Sequence, residues 1–191
     1  MATKKKQRNH SSAKTALLLV DVINAFDFEG SQRLLKHAAP VARNLAALKQ
    51  KSKSRGLPVI YANDNFDQWQ SDFPRLFTWI IEKTPGADIA KILEPNEDDY
   101  FILKPKHSAF YLTPLELLLQ NLGVTKLILG GFQTDMCVLL TAHDAHMRNY
   151  TLRIPSDCSA SEKVENHRWA IRHVGEFLEA DTTASSAMHR G

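Results

Sequence analysis

Short apolar runs alternate with longer amphipathic segments along this chain. Residues 15–20, 58–62, 100–103 and 126–130 have the length and composition of strands that are covered on both faces of a parallel sheet. The segments between them, such as residues 31–55, repeat apolar side chains at helical spacing. This alternation predicts an α/β fold with three layers, a Rossmann-like open and mostly parallel sheet of five to six strands, and helices on both faces.

Local signals set the expected ends of the first helices. Pro40 should either divide the segment 31–55 or open its main helix, because proline interrupts a helix interior. Thr113 and Glu116 have capping-box spacing with a proline between them, which predicts a helix that runs through Leu122.

The last quarter of the chain continues the alternation. Residues 150–154 predict a fifth strand, and residues 182–187 suggest a short sixth one. Ser159 and Glu162 form a second capping-box pattern, so we expect a long helix from there to about Leu178.

The connection over residues 63–99 breaks this regular pattern and scatters aromatic side chains among aspartates. Connections of this length contain short helices and often form a lid or a pocket wall. Phe66 and Trp69 are therefore candidate pocket walls, although burial in the core would explain them equally well.

Three chemically reactive side chains follow predicted strands: Asp21 the first, Lys104 the third and Cys137 the fourth. The carboxyl ends of parallel strands share one edge of a sheet, where ligands bind in open α/β folds. Gly130 and Gly131 predict a tight turn into a helix that has Cys137 in its first turn. Free N–H groups at a helix start favour a thiolate, so we expect Cys137 to be an activated nucleophile.

Size and charge narrow the class of protein. With 191 residues and 43% hydrophobic content, the chain fits one single-core domain over residues 14–191, preceded by a disordered basic tail at residues 1–13. The formal net charge is only +3, and the tail supplies part of it. We therefore expect neither nucleic acid nor a membrane surface as partner.

The same features predict a compartment. No apolar stretch reaches the roughly 18 residues that span a bilayer, and no secretory signal is visible, so we expect a cytoplasmic protein. Cys137 and Cys158 do not form a disulfide framework, and a reducing compartment suits both thiols. Cys158 lacks a reactive setting and is interpreted as structural or incidental.

Three ordered sequence blocks resemble the isochorismatase-like cysteine hydrolases, which include nicotinamidases, N-carbamoylsarcosine amidases and ureidoacrylate amidohydrolases. The blocks are LLLVDVINAF at 17–26, KPKHSAF at 104–110 and GFQTDMCVLLTAHDA at 131–145. The resemblance covers about residues 15–188 and implies that Asp21, Lys104 and Cys137 form a catalytic triad. Lys106 competes for the lysine role, but the family's lysine stands four positions before the serine, as Lys104 does.

The resemblance also implies how substrate is held. An oxyanion hole would be formed by the backbone N–H groups of Gln133 and Cys137, commonly beside a cis peptide at the position of Phe132–Gln133. The aromatic side chains near these blocks could line the substrate pocket or belong to the core. The candidate substrate-pocket residues are Asn24, Phe26, Phe66, Trp69 and Phe110.

A metal site is not expected. The metal-using nicotinamidases carry an Asp-x-His motif after the second strand, whereas residues 63–69 contain no histidine. His143 and His146 share a helix face, but no third ligand is indicated, so we interpret them as surface or packing residues. The resemblance therefore implies no cofactor, and nicotinamide is a disfavoured substrate.

The sequence thus predicts a metal-independent cysteine hydrolase that cleaves a C–N bond of a small amide, carbamoyl or imide substrate through a thioester. One alternative is vinyl-ether hydrolysis of the isochorismate type, which the superfamily performs with members lacking the cysteine. Another is a catalytically silent member used for binding or assembly. Relatives commonly form homo-oligomers, so self-association is expected.

Overall fold

The computed structural model describes residues 15–67 and 72–187. Within these residues, one sheet of six parallel strands forms the centre of the molecule. Its strands are Thr15–Val20 (β1), Val59–Asp64 (β2), Tyr100–Lys104 (β3), Lys126–Phe132 (β4), Thr151–Arg153 (β5) and Ser159–Ala160 (β6). The order is β3-β2-β1-β4-β5, and β6 pairs with the last residues of β4.

Helices cover both faces of this sheet. None of the described helices is both long enough and apolar enough to cross a membrane. A π-helical turn, Thr134–Val138, leads from β4 into the fifth α-helix. The α-helices are Ser31–Ser54 (α1), Phe73–Lys83 (α2), Ala87–Ile92 (α3), Leu115–Asn121 (α4), Leu139–Met147 (α5) and Val164–Phe177 (α6).

Two hydrophobic clusters, one on each side of the sheet, hold the layers together. Alternate residues of β1 divide between them: Leu18 packs with α4, α5 and α6, whereas Leu17 and Leu19 pack with α1, α2 and α3. All three leucines are fully buried. Because the strand is covered on both faces, it needs a continuous apolar run. The predicted three-layer α/β fold is confirmed.

The structure corrects the role expected for Pro40. The proline neither divides nor opens α1 but lies inside an uninterrupted helix. An interior proline costs about 3 kcal/mol because it removes a hydrogen bond and crowds the preceding turn. Burial of Leu34 on one side of Pro40 and Leu45 on the other, both fully inaccessible, holds the two halves on the sheet and offsets this cost.

Two expectations for the last quarter of the chain are wrong. Ser159 does not cap a helix but pairs as a strand residue with Gly131, and α6 starts later, at Val164. Residues 182–187 form no strand: Asp181 makes a single bridge, and Ser185 donates its backbone N–H to Asp157 at 2.7 Å. This hydrogen bond turns the chain into a 3₁₀ turn instead.

Candidate active site

Gly130 and Gly131 lie within β4 rather than in a turn, which corrects the sequence-based interpretation. A Cβ atom on Gly131 would lie 1.9 Å from the Val20 carbonyl oxygen, and one on Gly130 would lie 2.6 Å from that of Cys158. The two glycines therefore allow β1 and the chain before β6 to approach β4 closely. This close packing brings the ends of β1 and β4 together, where Asp21 and the nucleophile turn follow.

The structure brings Asp21, Lys104 and Cys137 together at the carboxyl edge of the sheet. The Lys104 ammonium lies 2.8 Å from the Asp21 carboxylate and 3.7 Å from the Cys137 sulfur. The thiol and the Asp21 carboxyl are also within hydrogen-bonding reach of each other. A nucleophile, a carboxylate acceptor and a fixed cation thus surround one point.

Lys104 reaches this point from the edge strand. It lies at the end of β3, pairs in register with Asp64 of β2, and β1 is one strand further on. Its side chain is fully buried, and its ammonium also donates to the Lys106 carbonyl oxygen at 3.1 Å. The Lys106 residue itself is exposed. A long, flexible lysine stem can span the end of β2 in this way, whereas a short cationic side chain could not.

Burial sets the protonation of the site. It raises the pKa of Asp21, and the neighbouring Lys104 ammonium opposes that rise. Burial alone would lower the pKa of Lys104, but the negative charge of Asp21 raises it above its usual value, so the ammonium stays charged. Because the ammonium is nearer to the carboxylate than to the sulfur, the resting ion pair is Asp21 with Lys104.

The expectation of a resting Cys137 thiolate is therefore wrong. Burial raises the pKa of the Cys137 thiol, the Asp21 charge raises it further, and Lys104 only partly opposes them. The expectation rested on the helix start alone, which carries no information on the burial and charges around the thiol. The resting cysteine is a thiol that needs a base, and Asp21 is the carboxylate within reach.

The turn that carries Cys137 is tied to the first turn of α6 and to the segment before it. The Asp135 carboxylate accepts hydrogen bonds from Ser161 at 2.6 Å and from Asn166 at 2.7 Å. The Thr134 hydroxyl lies 2.8 Å from a ring nitrogen of His167. These contacts fix the part of the turn that precedes the nucleophile, which limits the positions that the sulfur can take.

The peptide bond Phe132–Gln133 is cis, as the family resemblance implied. It joins the end of β4 to the π-helical turn, so Gln133 and Cys137 stand at opposite ends of a short backbone arc. The Gln133 carbonyl oxygen accepts from Met136 and Val138 of this arc. The oxyanion-hole role of the Gln133 and Cys137 backbone N–H groups stays a prediction.

The candidate pocket residues fall into different environments. Asn24 is nearly buried and accepts from the Phe26 backbone N–H at 2.8 Å, so its side chain shapes the loop after β1. Phe26 is 1% exposed and packs edge-on against Phe132, and Phe110 is 5% exposed beneath Tyr150. Packing in the core accounts for both phenylalanines.

The remaining two candidates lie in the long crossover. Phe66 is half-buried and packs against Trp79 of α2, with ring centroids 6.0 Å apart. Phe66 follows Asp64 at the active-site edge, so it remains a candidate pocket wall. Trp69 lies outside the described residues.

Two residues near the nucleophile were not singled out from the sequence. The Asp64 carboxylate lies 4.0 Å from the Lys104 ammonium, and a ring nitrogen of His107 lies 3.8 Å from the Cys137 sulfur. Asp64 ends the second strand, so the rule that located Asp21 and Lys104 could have found it. His107 lies inside the 104–110 block and carried no separate signal.

The histidines of α5 belong elsewhere. His143 lies 3.0 Å from His173 of α6, nitrogen to nitrogen, and His146 is exposed. Within residues 15–67 and 72–187, no group of three or more histidine, cysteine or acidic side chains has an arrangement that could hold a metal ion. Cys158 is fully buried in the core, and burial raises its pKa to about 12.

Comparisons with known proteins identify the family to which this fold belongs. The model of the isochorismatase domain matches residues 15–185. An uncharacterized isochorismatase family protein of Bacillus subtilis (strain 168) is 38% identical, over 91% of this chain and 95% of its own length. A probable inactive nicotinamidase of Arabidopsis thaliana is 33% identical, over 80% of this chain and 84% of its own length.

Among solved structures, the N-carbamoylsarcosine amidase of Thermoplasma acidophilum superposes with a TM-score of 0.69 at 26% identity. The match covers 93% of this chain and 99% of the amidase. The family match spans all three strand ends that carry Asp21, Lys104 and Cys137. The chain therefore belongs to the isochorismatase family.

Proposed function

We propose that this protein is a metal-independent cysteine hydrolase that cleaves a C–N bond of a small amide, carbamoyl or imide compound. The observation that carries the proposal is the contact of one thiol with both a carboxylate and a buried ammonium. The isochorismatase domain match supports hydrolysis in general. The N-carbamoylsarcosine amidase among the similar solved structures supports cleavage of a C–N bond.

In the first half of the reaction, Asp21 accepts the thiol proton as the Cys137 sulfur attacks the carbonyl carbon. The carbonyl π-bond electrons move to oxygen, and in this proposal the backbone N–H groups of Gln133 and Cys137 stabilise the charge there. Collapse of this intermediate breaks the C–N bond. The departing nitrogen takes the proton from Asp21, and an acyl thioester remains on Cys137.

In the second half, a water molecule attacks the thioester and gives its proton to the ionised Asp21. The C–S bond breaks, the acid product leaves, and the proton returns to the sulfur. Lys104 keeps its charge throughout and stabilises whichever of its two partners is negative. No redox step occurs, and the only co-substrate is water.

A panel of small primary amides, carbamoyl compounds and cyclic imides tests the proposal, with ammonia or acid release as the readout. We expect turnover of at least one panel member by the native protein and a loss of roughly 10³-fold or more in Cys137→Ser. Cys158→Ser is the matched control and should keep its activity, because Cys158 lies in the hydrophobic cluster on one face of the sheet and Cys137 packs against the cluster on the other face. If no compound is turned over, the silent-member alternative holds instead.

A further inference from the structure

Asp64 is a second carboxylate at the active-site edge that the proposed reaction does not use. It ends β2, between the strands that carry Asp21 and Lys104. Its backbone N–H donates to the Asp21 carboxylate at 2.7 Å, so Asp64 and the general base are held in one fixed arrangement.

A hydrogen bond also orients the Asp64 side chain. One carboxylate oxygen accepts the Phe66 backbone N–H at 2.7 Å, and the other lies 4.0 Å from the Lys104 ammonium. At that separation the second oxygen is beyond ordinary hydrogen-bond distance and keeps its acceptor capacity. The side chain is 36% exposed, whereas those of Asp21 and Lys104 are 5% and 0% exposed. Asp64 is thus the more exposed of the two carboxylates beside Lys104, and its charge acts on the Cys137 thiol.

The Asp64 carboxylate makes the formal charge around Cys137 negative. With a neutral thiol, Asp21, Lys104 and Asp64 sum to one negative charge, and transfer of the thiol proton to Asp21 leaves that sum unchanged. The undescribed residues 68–71 are Gln, Trp, Gln and Ser, so they add no charge to the neighbouring crossover. An anionic substrate would enter a site that is already negative, in partly desolvated surroundings where charges interact more strongly than in water.

We propose that Asp64 selects the substrate by charge: it accepts a hydrogen bond from an N–H group or a cationic group of a neutral or positively charged small amide, urea or carbamoyl compound, and it disfavours carboxylate-bearing ones. This inference rests on the proposed function, because only a working hydrolase has a substrate to select. The charge selection itself is a property of the space around Cys137, and it can be measured without turnover.

Three alkylating reagents of different charge measure this selection at Cys137. Iodoacetamide is neutral, iodoacetate is anionic and (2-bromoethyl)trimethylammonium is cationic. Rates at Cys137 are followed by peptide mass spectrometry at low ionic strength, where screening is small. Each rate is divided by the rate of the same reagent with 2-mercaptoethanol, an uncharged thiol. A change in thiolate fraction affects all three reagents equally, so it cancels in their ratios.

We expect the normalised ratio of iodoacetamide to iodoacetate to exceed unity by about tenfold in the native protein, and the cationic reagent to be favoured over iodoacetate by more. Asp64→Asn should lower both ratios by about fivefold to tenfold. Asp67→Asn is the matched control, because Asp67 is an exposed aspartate three positions further along the same loop. It should leave both ratios within about twofold of native.

Ratios near unity in the native protein, or equal ratios in the native and Asp64→Asn proteins, would overturn the inference. The native measurement stands even if the variant does not fold, which circular dichroism would reveal. Charge selection without turnover of any panel compound would overturn the proposed function alone. Turnover without charge selection would leave the hydrolase proposal intact and remove the role of Asp64.

Discussion

Cys137 is the residue at which local chemistry differs most from the sequence-based expectation. A cysteine near a helix start was expected to ionise easily, yet burial and the Asp21 carboxylate raise its pKa. The difference arises because a single stretch of sequence reveals the helix start but not the charges that the fold brings beside it. The reactive form of Cys137 is thus produced during the reaction rather than kept at rest.

Replacement of Asp21 should separate thiol reactivity from catalysis. The Asp21 charge raises the pKa of Cys137, so Asp21→Asn should lower that pKa, increase the thiolate fraction at pH 7 and speed alkylation by iodoacetamide on the order of tenfold. Turnover should fall by about 10²-fold to 10⁴-fold, because the general base is lost. In the native protein, the alkylation rate should rise about tenfold for each pH unit up to the raised pKa.

Asp27→Asn serves as the control for this variant, since Asp27 is exposed on the loop that follows the same strand. It should change neither the alkylation rate nor turnover. A native alkylation rate that stays flat from pH 8 down to pH 6 would contradict the resting thiol. So would slower alkylation in Asp21→Asn than in the native protein.

At the scale of strands and helices, long apolar runs were readable from sequence and short or interrupted elements were not. The bounds of β1 agree with the prediction because burial on both faces demands a continuous run. β6 escaped prediction because its two residues carry no periodic pattern, and its pairing with β4 depends on glycines distant in sequence. The prediction that Pro40 would divide or open the helix was wrong because tertiary packing outweighs local helix propensity.

Two helices present an apolar stripe that no described residue covers. Met136, Leu140 and Met147 lie along the turn before α5 and α5 itself, and they are 43%, 43% and 70% exposed. On α6, Trp169 and Phe177 are 50% and 68% exposed. Both rings stack on His173, and the contact of His173 with His143 links the α6 part of the stripe to the α5 part. Monomeric proteins seldom expose apolar side chains in such continuous rows.

We expect a second copy of this chain to cover the stripe. The stripe has no formal charge of its own and is flanked on α6 by charges of both signs, such as Arg172 and Glu176, so it fits a self-complementary contact better than a partner of one charge. Sedimentation at micromolar concentration should show a dimer or larger species. Met147→Glu and Phe177→Glu should shift it toward monomer.

Ile92→Glu is the matched control, because Ile92 is 38% exposed on α3, on the opposite side of the sheet. It should leave the sedimentation unchanged. A native protein that stays monomeric at about 100 μM, where ordinary dimers with micromolar dissociation constants are formed, would show that the stripe has another role.

For the molecule as a whole, the sequence allowed the sheet edge to be predicted, and hence the meeting of Asp21, Lys104 and Cys137. These positions follow from strand order along the chain and from the shared direction of parallel strands. The pocket above them could not be predicted in the same way. The crossover from Asn63 to Asp99 folds through irregular contacts, such as Phe66 on Trp79, that leave no periodic signal.

The triad also depends on this whole-molecule arrangement. Lys104 comes from the edge strand and Asp21 from the middle of the sheet, so neither can be moved without the other. The Asp64 backbone ties the strand between them to the Asp21 carboxylate. The three residues and Asp64 therefore form one charged unit rather than separate side chains.

The most direct test of attack by Cys137 is the mass of the protein during turnover. Native protein mixed with a reactive member of the amide panel, quenched in acid within milliseconds to seconds and examined by mass spectrometry, should carry one added acyl group, located on the peptide that contains Cys137. Cys158→Ser should carry the same adduct. Turnover without any adduct in pre-steady-state samples, or an acyl group on a different residue, would contradict attack by Cys137.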